Sequence, residues 1–338
     1  MLTTRSRLAL LPLLLSIAAC SGAPAPSASQ VRSSPPTPSP TTGATPSATG
    51  TPTGSPASPP ATASPSGVPS TSPSASTGGG LDWPRGGSDL VIRVESGGGL
   101  MGPQAFPQRI PGFSLYGDGR AIAEGAVPAI FPGPLMPAVL ETRISEEGMR
   151  RLLEAAHSAG LHGARRQLDF PNIMDATTTT FTVVTTEGRH ETAVYALHEA
   201  SGMDGQIPAN DRAARAALQT FASQVADLRG VLADEIVTDE RPYEPTAMRV
   251  YARKAGPGGG EPGLPLVNVP WPLGDLATFG EPTPGMGGDM RCAVVDGSDL
   301  ATVLPLFRDG TQLTRWISEG VAYEVLPRPL LPDETGCR

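Results

Sequence analysis

The sequence has few of the residue types and motifs from which catalytic and metal sites are usually built. Only three cysteines and four histidines occur among its 338 residues. The Gly-x-Ser-x-Gly, Ser-x-x-Lys and His-Glu-x-x-His patterns are absent, and so is the phosphate loop that ends in Gly-Lys-Ser/Thr. These absences exclude the serine hydrolases, zinc proteases and nucleotidases that such patterns identify. We therefore predict no catalytic residue, no cofactor and no metal site.

Acidic side chains are missing from the first 80 residues, and no apolar run there is long enough to cross a bilayer. Arg5 and Arg7 form a short basic segment, and the apolar run 8–19 follows it. A transmembrane helix needs roughly 20 apolar residues, which this run does not reach. The pattern is instead typical of a secretory signal peptide, which we predict to span residues 1–19.

The apolar run ends in Ile17-Ala18-Ala19-Cys20, which resembles the lipobox of bacterial lipoproteins. The resemblance implies cleavage before Cys20, lipid on its thiol, and a protein anchored to the extracytoplasmic face of the cell membrane. Two or three acyl chains anchor durably, since each buried methylene contributes about 0.8 kcal/mol. The alternatives are an ordinary secretory signal with an incidental Cys20 and an uncleaved membrane anchor. The scarcity of cysteine and the short apolar run argue against them.

Residues 20–80 are predicted to be a disordered tether that starts at the lipidated cysteine. Between residues 21 and 80, fourteen residues are proline, and only Gln30, Val31, Arg32 and Val68 are not Pro, Ser, Thr, Ala or Gly. Such a segment buries too little apolar surface to offset the entropy of ordering it. Its reach lies between about 45 Å as a flexible coil and about 185 Å when fully extended. It would therefore hold a folded domain away from the lipid.

The remaining residues, 81–338, form an acidic body. They carry all 33 acidic residues but only 22 of the 25 basic ones, which gives a formal charge of −11. This charge argues against nucleic acid and anionic lipid as partners. Lys254 is the only lysine, whereas arginine is frequent. That bias is typical of GC-rich coding and of an actinobacterial-type lipoprotein, so we assign little function to the arginines.

Cys292 and Cys337 are the only cysteines that remain after lipidation. In an exported protein they are predicted to form a disulfide. This bond would close a loop of about 45 residues and contribute roughly 4 kcal/mol to stability. The alternative is a pair of free thiols.

Residues 81–230 are predicted to form an α+β domain, an antiparallel sheet with two helices on one face. Strands are predicted at 90–95, 113–116, 120–124 and 139–144, and in a hairpin of 177–186 and 189–197. Ser145 is predicted to cap a first helix that ends at Gly160. Asp211 is predicted to cap a second helix that ends at Gly230.

The turn Tyr116-Gly117-Asp118-Gly119, the helix after Ile144 and the strand 175–186 with its return resemble a family of uncharacterised exported bacterial domains. The resemblance covers residues 89–228 and implies no activity. The family's cysteine-rich turn before the hairpin is replaced here by Gly97-Gly98-Gly99 and Pro103.

Residues 231–247 are predicted to be a linker, because charges and two prolines leave few large apolar side chains. Residues 248–338 are predicted to be a smaller, disulfide-closed α+β unit packed on the first. Its strands are predicted at 248–253, 264–269, 291–295 and 321–326, with a short helix from Ser298 or Asp299 to Leu304. Trp271 and Trp316 are placed in or near its core.

Four histidines are predicted to lie at the surface or at helix ends rather than to bind metal: His157, His162, His190 and His198. The last two are expected on one strand, where eight residues separate them by about 26 Å. At that distance they cannot share an ion, even with Asp169 or Asp175 as an oxygen ligand. The first two straddle the end of the first helix.

Two glycine-containing segments are predicted to be loops without a ligand. Gly97-Gly98-Gly99 lacks the lysine of a phosphate loop, and Pro103 prevents a helix from starting there. Residues 203–211 hold two acids and a glycine without the closing glutamate of a calcium loop. They are expected to end in the helix cap at Asp211.

The segment 106–137 contains apolar runs, such as residues 129–137, that cannot form a regular element. These side chains either cover the sheet as part of the core or form an exposed contact surface. Binding residues often lie on loops above a rigid scaffold, so both interpretations remain open.

We predict a non-enzymatic, lipid-anchored binding module whose partner is an envelope protein or a wall polymer. The long tether, the acidic α+β body and the absence of a catalytic motif support this prediction. Two alternatives are an envelope hydrolase that uses carboxylates and a small-solute binding lipoprotein. A deep pocket with two carboxylates would favour the hydrolase, an interdomain cleft would favour the solute receptor, and an apolar loop patch would favour the binding module.

Overall fold

The computed structural model describes residues 81–100, 107–258, 260, 262–283 and 289–337. The predicted signal peptide 1–19, the tether 20–80 with Cys20, and Pro103 lie outside these residues. The described chain has the predicted α+β class, with one sheet of eight strands, one of six strands, and four α-helices. Each sheet is antiparallel apart from one parallel pair, so both sheets are mixed.

The first sheet contains the eight strands β1 (Leu90–Gly98), β2 (Phe113–Tyr116), β3 (Arg120–Glu124), β4 (Val139–Ile144), β5 (Arg166–Leu168), β6 (Thr177–Thr185), β7 (Gly188–Tyr195) and β8 (Ile236–Pro242). Their order across the sheet is β5-β7-β6-β1-β2-β3-β4-β8. The three strands predicted at 113–116, 120–124 and 139–144 are confirmed at those bounds. The short parallel strand β5 was not predicted, because three residues are too few to show a period.

Helices α1 (Glu146–Ser158) and α2 (Ala209–Ala226) pack on one face of the first sheet and share its core. Ser145 caps α1 as predicted, since Gly148 N donates to its hydroxyl oxygen at 3.1 Å. The start of α2 differs from the prediction. Pro208 occupies the N-cap position, and Asp211 lies in the first turn, where its carboxylate still faces the positive end of the helix.

Residues 231–247 are not a linker. Helix α3 (Leu228–Leu232) and a 3-10 turn (Ala233–Glu235) lead directly into β8, which pairs with β4 at the edge of the sheet. Three of the charges that suggested a linker, Asp239, Glu240 and Arg241, lie on this edge strand, whose side chains are mostly exposed. Charged residues are typical of edge strands because they discourage pairing with another chain.

Gly97 and Gly98 belong to β1 rather than to a loop, because they pair with Thr178 and Thr177 of β6. Only Gly99 follows the strand, with a positive φ of 76°. The loop prediction for this segment was wrong because glycine gives no side-chain period from which a strand could be recognised.

The second sheet contains the six strands β9 (Ala247–Lys254), β10 (Val267–Pro270), β11 (Glu281–Pro282), β12 (Arg291–Asp296), β13 (Thr314–Ser318) and β14 (Val321–Pro329). Their order is β10-β13-β14-β9-β12-β11. Helix α4 (Gly297–Asp309) covers one face and continues past the predicted end at Leu304. Trp271 and Trp316 are buried beneath it with their rings 5.5 Å apart, which confirms their placement in the core.

Residues 330–337, called the C-terminal tail below, contact both sheets. Asp333 accepts hydrogen bonds from Arg93 Nη2 of β1 and Tyr116 Oη of β2, both at 2.7 Å. Glu334 forms a two-point ion pair with Arg328 of β14, at 2.5 and 2.7 Å. The tail therefore joins the first sheet to the second through its two carboxylates.

Further contacts fix both ends of the C-terminal tail. Tyr243 Oη donates to Leu330 O at 2.9 Å, and burial raises the pKa of this phenol to about 12, so it remains a donor. At the other end, Cys337 is disulfide-bonded to Cys292 of β12, with a Cα–Cα distance of 6.0 Å. This pairing is the one predicted from the sequence.

We expect the disulfide to contribute substantially to stability. In a Cys20→Ser parent, the double substitution Cys292→Ala/Cys337→Ala should lower the free energy of unfolding in urea by about 4 kcal/mol, because a closed loop of 45 residues is released. The reduced parent is the matched control, since it loses the cross-link without losing buried sulfur. An unchanged urea midpoint in both would contradict this expectation.

Candidate ligand-binding groove

The loop between β3 and β4, residues 125–138, reaches the second sheet and is called the apolar loop below. Leu135 N donates to Gly310 O and Gln312 N donates to Gly133 O, each at 3.0 Å. These backbone hydrogen bonds attach the far end of the apolar loop to the segment between α4 and β13. A long hairpin loop is thus held in one place by the second sheet.

Gly310, which follows α4, allows the apolar loop to approach closely. A Cβ atom at this position would lie only 2.8 Å from Leu135 Cδ2 and 3.2 Å from Leu306 O. A side chain at position 310 would therefore require Leu135 to shift. Leu135 packs into the aromatic core of the second sheet.

The two interpretations of the apolar loop hold for different residues within it. Leu135 is buried and Met136 packs against the same core. Val127, Ile130 and Phe131, by contrast, are 70%, 65% and 56% exposed. Large apolar side chains exposed together on an anchored loop are typical of contact surfaces.

A groove of about 550 Å³ lies between the apolar loop and the face of the second sheet that α4 does not cover. Its apolar lining consists of Phe131, Pro134, Leu135, Leu313, Val325 and Leu326. Its polar lining consists of Arg253, Arg315, Glu324, Gln108, Gln312 and Thr314. The volume falls within the range of roughly 300–1,000 Å³ that is usual for ligand pockets, and the mixture of lining residues suits a ligand that is partly apolar and partly charged.

Three charged side chains lie side by side on the floor of this groove. Arg253 Nε and Nη2 lie 2.7 and 2.6 Å from Glu324 Oε2, in a cross-strand pair between β9 and β14. Arg315 Nη2 of β13 lies 3.4 Å from Glu324 Oε1. One carboxylate therefore faces two guanidinium groups, and this row carries one net positive charge.

Arg315 has more hydrogen-bonding capacity than the described residues use. The residue is 8% exposed, and its Nε is buried without a partner in the described part of the chain. Arg328, on the same face of the sheet, is instead paired at two points by Glu334. A buried donor left unpaired costs about 1–3 kcal/mol. An anionic group that enters the groove would contact the terminal nitrogens of Arg315 rather than the buried Nε.

The sequence reasoning missed Arg253, Arg315 and Glu324, because it attributed the arginines to coding bias. A usable pattern existed in β9, where the polar or aromatic residues Arg249, Tyr251 and Arg253 alternate with the apolar residues Met248, Val250 and Ala252. Such a period of two predicts a strand whose second face is polar. It does not reveal which other residues that face meets.

The histidines lie at the surface as predicted, with His157, His162 and His198 exposed, but their arrangement differs in detail. His157 and His162 stack with ring centroids 3.9 Å apart and line a small cavity together with His190, which donates from Nδ1 to Gly163 O at 3.0 Å. His198 lies beyond the end of β7, so it does not share a strand with His190. Asp169 and Asp175, which were considered and rejected as oxygen ligands on sequence grounds, do not line this cavity. Within the described ranges, no three His, Cys, Asp or Glu side chains are grouped so that they could hold a metal ion.

A larger cavity, of about 720 Å³, lies beside Tyr323 and Arg291. It is bordered by Thr283 and Asp289, which flank residues 284–288. Those five residues are outside the described part, so we assign no site to this cavity.

Comparisons with protein-family models, with curated proteins and with solved structures found no match for this chain. None of the helices in the described ranges is long and apolar enough to cross a membrane.

Proposed function

We propose that this protein is a lipid-anchored, extracytoplasmic binding module without catalytic activity, and that it binds a component of the cell envelope through the groove beside the apolar loop. The observation that carries the proposal is the combination of Val127, Ile130 and Phe131, exposed on an anchored loop, with the incompletely paired Arg315, which lines the same groove as Phe131. Apolar contacts would supply affinity, and the guanidinium would supply orientation.

The groove supports a binding module better than it supports a carboxylate hydrolase. Among the described residues that line it, Glu324 is the only acid, and both of its oxygens face arginines. A hydrolase that uses carboxylates needs two of them in separate roles, one acid and one base or nucleophile. The proposal therefore assigns Glu324 a structural and electrostatic role.

A receptor for a small solute is a second candidate, and the position of the groove favours it. The groove lies where a loop of the first sheet meets the second sheet, and binding sites often occur at such junctions. Both candidates place the ligand against the same residues. They differ in whether the exposed apolar residues at the rim take part.

The anchor is tested by mass spectrometry of the mature protein extracted from membranes. We expect the wild type to carry acyl chains at Cys20 and the Cys20→Ala variant to carry none and to be released from the membrane fraction. Release follows because the proposed attachment depends on the buried methylene groups of the lipid. An unlipidated, secreted wild-type protein would contradict the anchor.

The binding surface is tested by a photo-crosslinking side chain, p-benzoylphenylalanine, placed at Phe131 in intact cells. We expect a discrete adduct that disappears when Val127 and Ile130 are both changed to serine, because the proposed contact uses the exposed apolar residues of the same loop. The matched control is the same probe at Val237 on β8, which is 62% exposed and does not line the groove. Equal labelling from both positions, or an adduct that the serine variant leaves unchanged, would count against the groove as the binding surface.

A further inference from the structure

The arginines on one face of the second sheet differ in how completely the protein pairs them. Arg328 donates to both oxygens of Glu334 and, from Nε, to Arg109 O at 2.5 Å. Arg253 is held by Glu324 at 2.6–2.7 Å. Arg315 has only the 3.4 Å contact to the other oxygen of Glu324, and its Nε has no partner among the described residues. Arg315 is therefore the least completely paired of these three arginines, and its terminal nitrogens can take a further acceptor.

The net charge of the floor limits what that acceptor can be. Two guanidinium groups and one carboxylate leave a single positive charge, which one monoanion neutralises. A doubly charged group such as phosphate would leave an excess negative charge beside the partly buried carboxylate of Glu324, which is unfavourable. A carboxylate also matches the planar fork of a guanidinium.

The remaining lining residues indicate what should be attached to the carboxylate. The amide nitrogen of Gln108 donates to Leu135 O and Pro327 O, and the amide oxygen of Gln312 accepts a hydrogen bond from Gly133 N. This leaves one amide acceptor and one amide donor that have no partner within the described ranges, and such a pair can serve the N–H and C=O groups of a peptide. Phe131 and Leu313 provide apolar contact beside them.

We infer that the groove binds a peptide segment that carries a free carboxylate next to an apolar side chain, with Arg315 and Arg253 holding the carboxylate. This inference rests on the proposed function, because it names the ligand class of the same groove. The protein's own tether is not a suitable occupant, since residues 21–80 contain no Asp or Glu.

The test uses the full mature chain with Cys20→Ser, so that it stays in solution, and two pools of N-acetylated tripeptides ending in Leu or Phe. One pool has a free C-terminal carboxylate and the other is amidated. Binding is measured by saturation-transfer NMR and then by titration of the best member. We expect the acid to bind at least tenfold more tightly than its amide, because a charge-assisted hydrogen bond is lost on amidation.

Three variants identify the residues responsible. Arg315→Gln should reduce binding of the acid to the level of the amide. Glu324→Gln should strengthen binding of the acid several-fold, because it removes the competing carboxylate. Arg229→Gln, which removes an exposed ion pair with Asp239 outside the groove, is the control and should change nothing. If Arg315→Gln does not fold, the Glu324→Gln variant still distinguishes a ligand-binding role of these charges from a purely structural one. Stronger binding of the acid supports the ligand-binding role, whereas unchanged or weaker binding indicates the structural role.

Several outcomes would overturn the inference: equal binding of acid and amide, absence of binding by both pools, tighter binding of inorganic phosphate, or concentration-dependent self-association that fills the groove with a second copy. If crosslinking from position 131 succeeds while both peptide pools fail, the groove is a binding surface for another chemistry. In that outcome the proposed function stands and the ligand class is wrong.

Discussion

The ion pair between Glu334 and Arg328, together with the adjacent contact of Asp333 with Arg93, is the charged part of the junction between the two sheets. Both arginines are largely buried, with 5% and 12% of their side chains exposed, and each obtains its counter-charge from the C-terminal tail. A buried guanidinium without a carboxylate is strongly destabilising. The tail therefore cannot move away without leaving two buried charges unpaired, and the disulfide to Cys292 restrains it further.

The groove follows from where the C-terminal tail lies on the second sheet. The tail covers one part of the face that α4 leaves open, where it supplies Gly336 O to Arg249 Nε at 2.8 Å and Glu334 to Arg328. The part around Arg315 and Arg253 is instead bordered by the apolar loop. On this polar face, the tail thus supplies hydrogen-bond acceptors to the arginines in one region. In the other region, Arg315 keeps a nitrogen without a partner among the described residues.

A basic groove in an acidic body has an electrostatic consequence. Residues 81–338 carry 33 acids against 22 bases, so the body as a whole repels anions at long range. At physiological salt this repulsion is screened beyond about 8 Å. Recognition of a carboxylate would therefore depend on the local pairing with Arg315 rather than on long-range steering. We expect a modest affinity for the acid and a strong preference for the acid over the amide.

The parts of the fold that could be predicted are those that depend on residues close together in the sequence or on a count of residues. Strands β2, β3 and β4, the Ser145 cap and the Cys292–Cys337 bond were predictable, because each depends on a period, a cap residue or a count of cysteines. The edge strand β8 was mistaken for a linker, because exposed edge residues and linker residues have the same composition. The groove could not be predicted, because Gln108, Phe131, Arg253 and Arg315 come from four separate segments and only the tertiary fold brings them together.

We expect the C-terminal tail to hold the two sheets in place relative to one another and so to preform the groove. The most direct measurement is the distance distribution, by pulsed electron paramagnetic resonance, between spin-labelled noncanonical side chains at the exposed positions Val237 on β8 and Val267 on β10. We predict one narrow distribution for the intact protein and a clearly broader one when residues 331–338 are deleted. An equally narrow distribution in the deletion variant would show that other contacts hold the sheets, and would contradict the account.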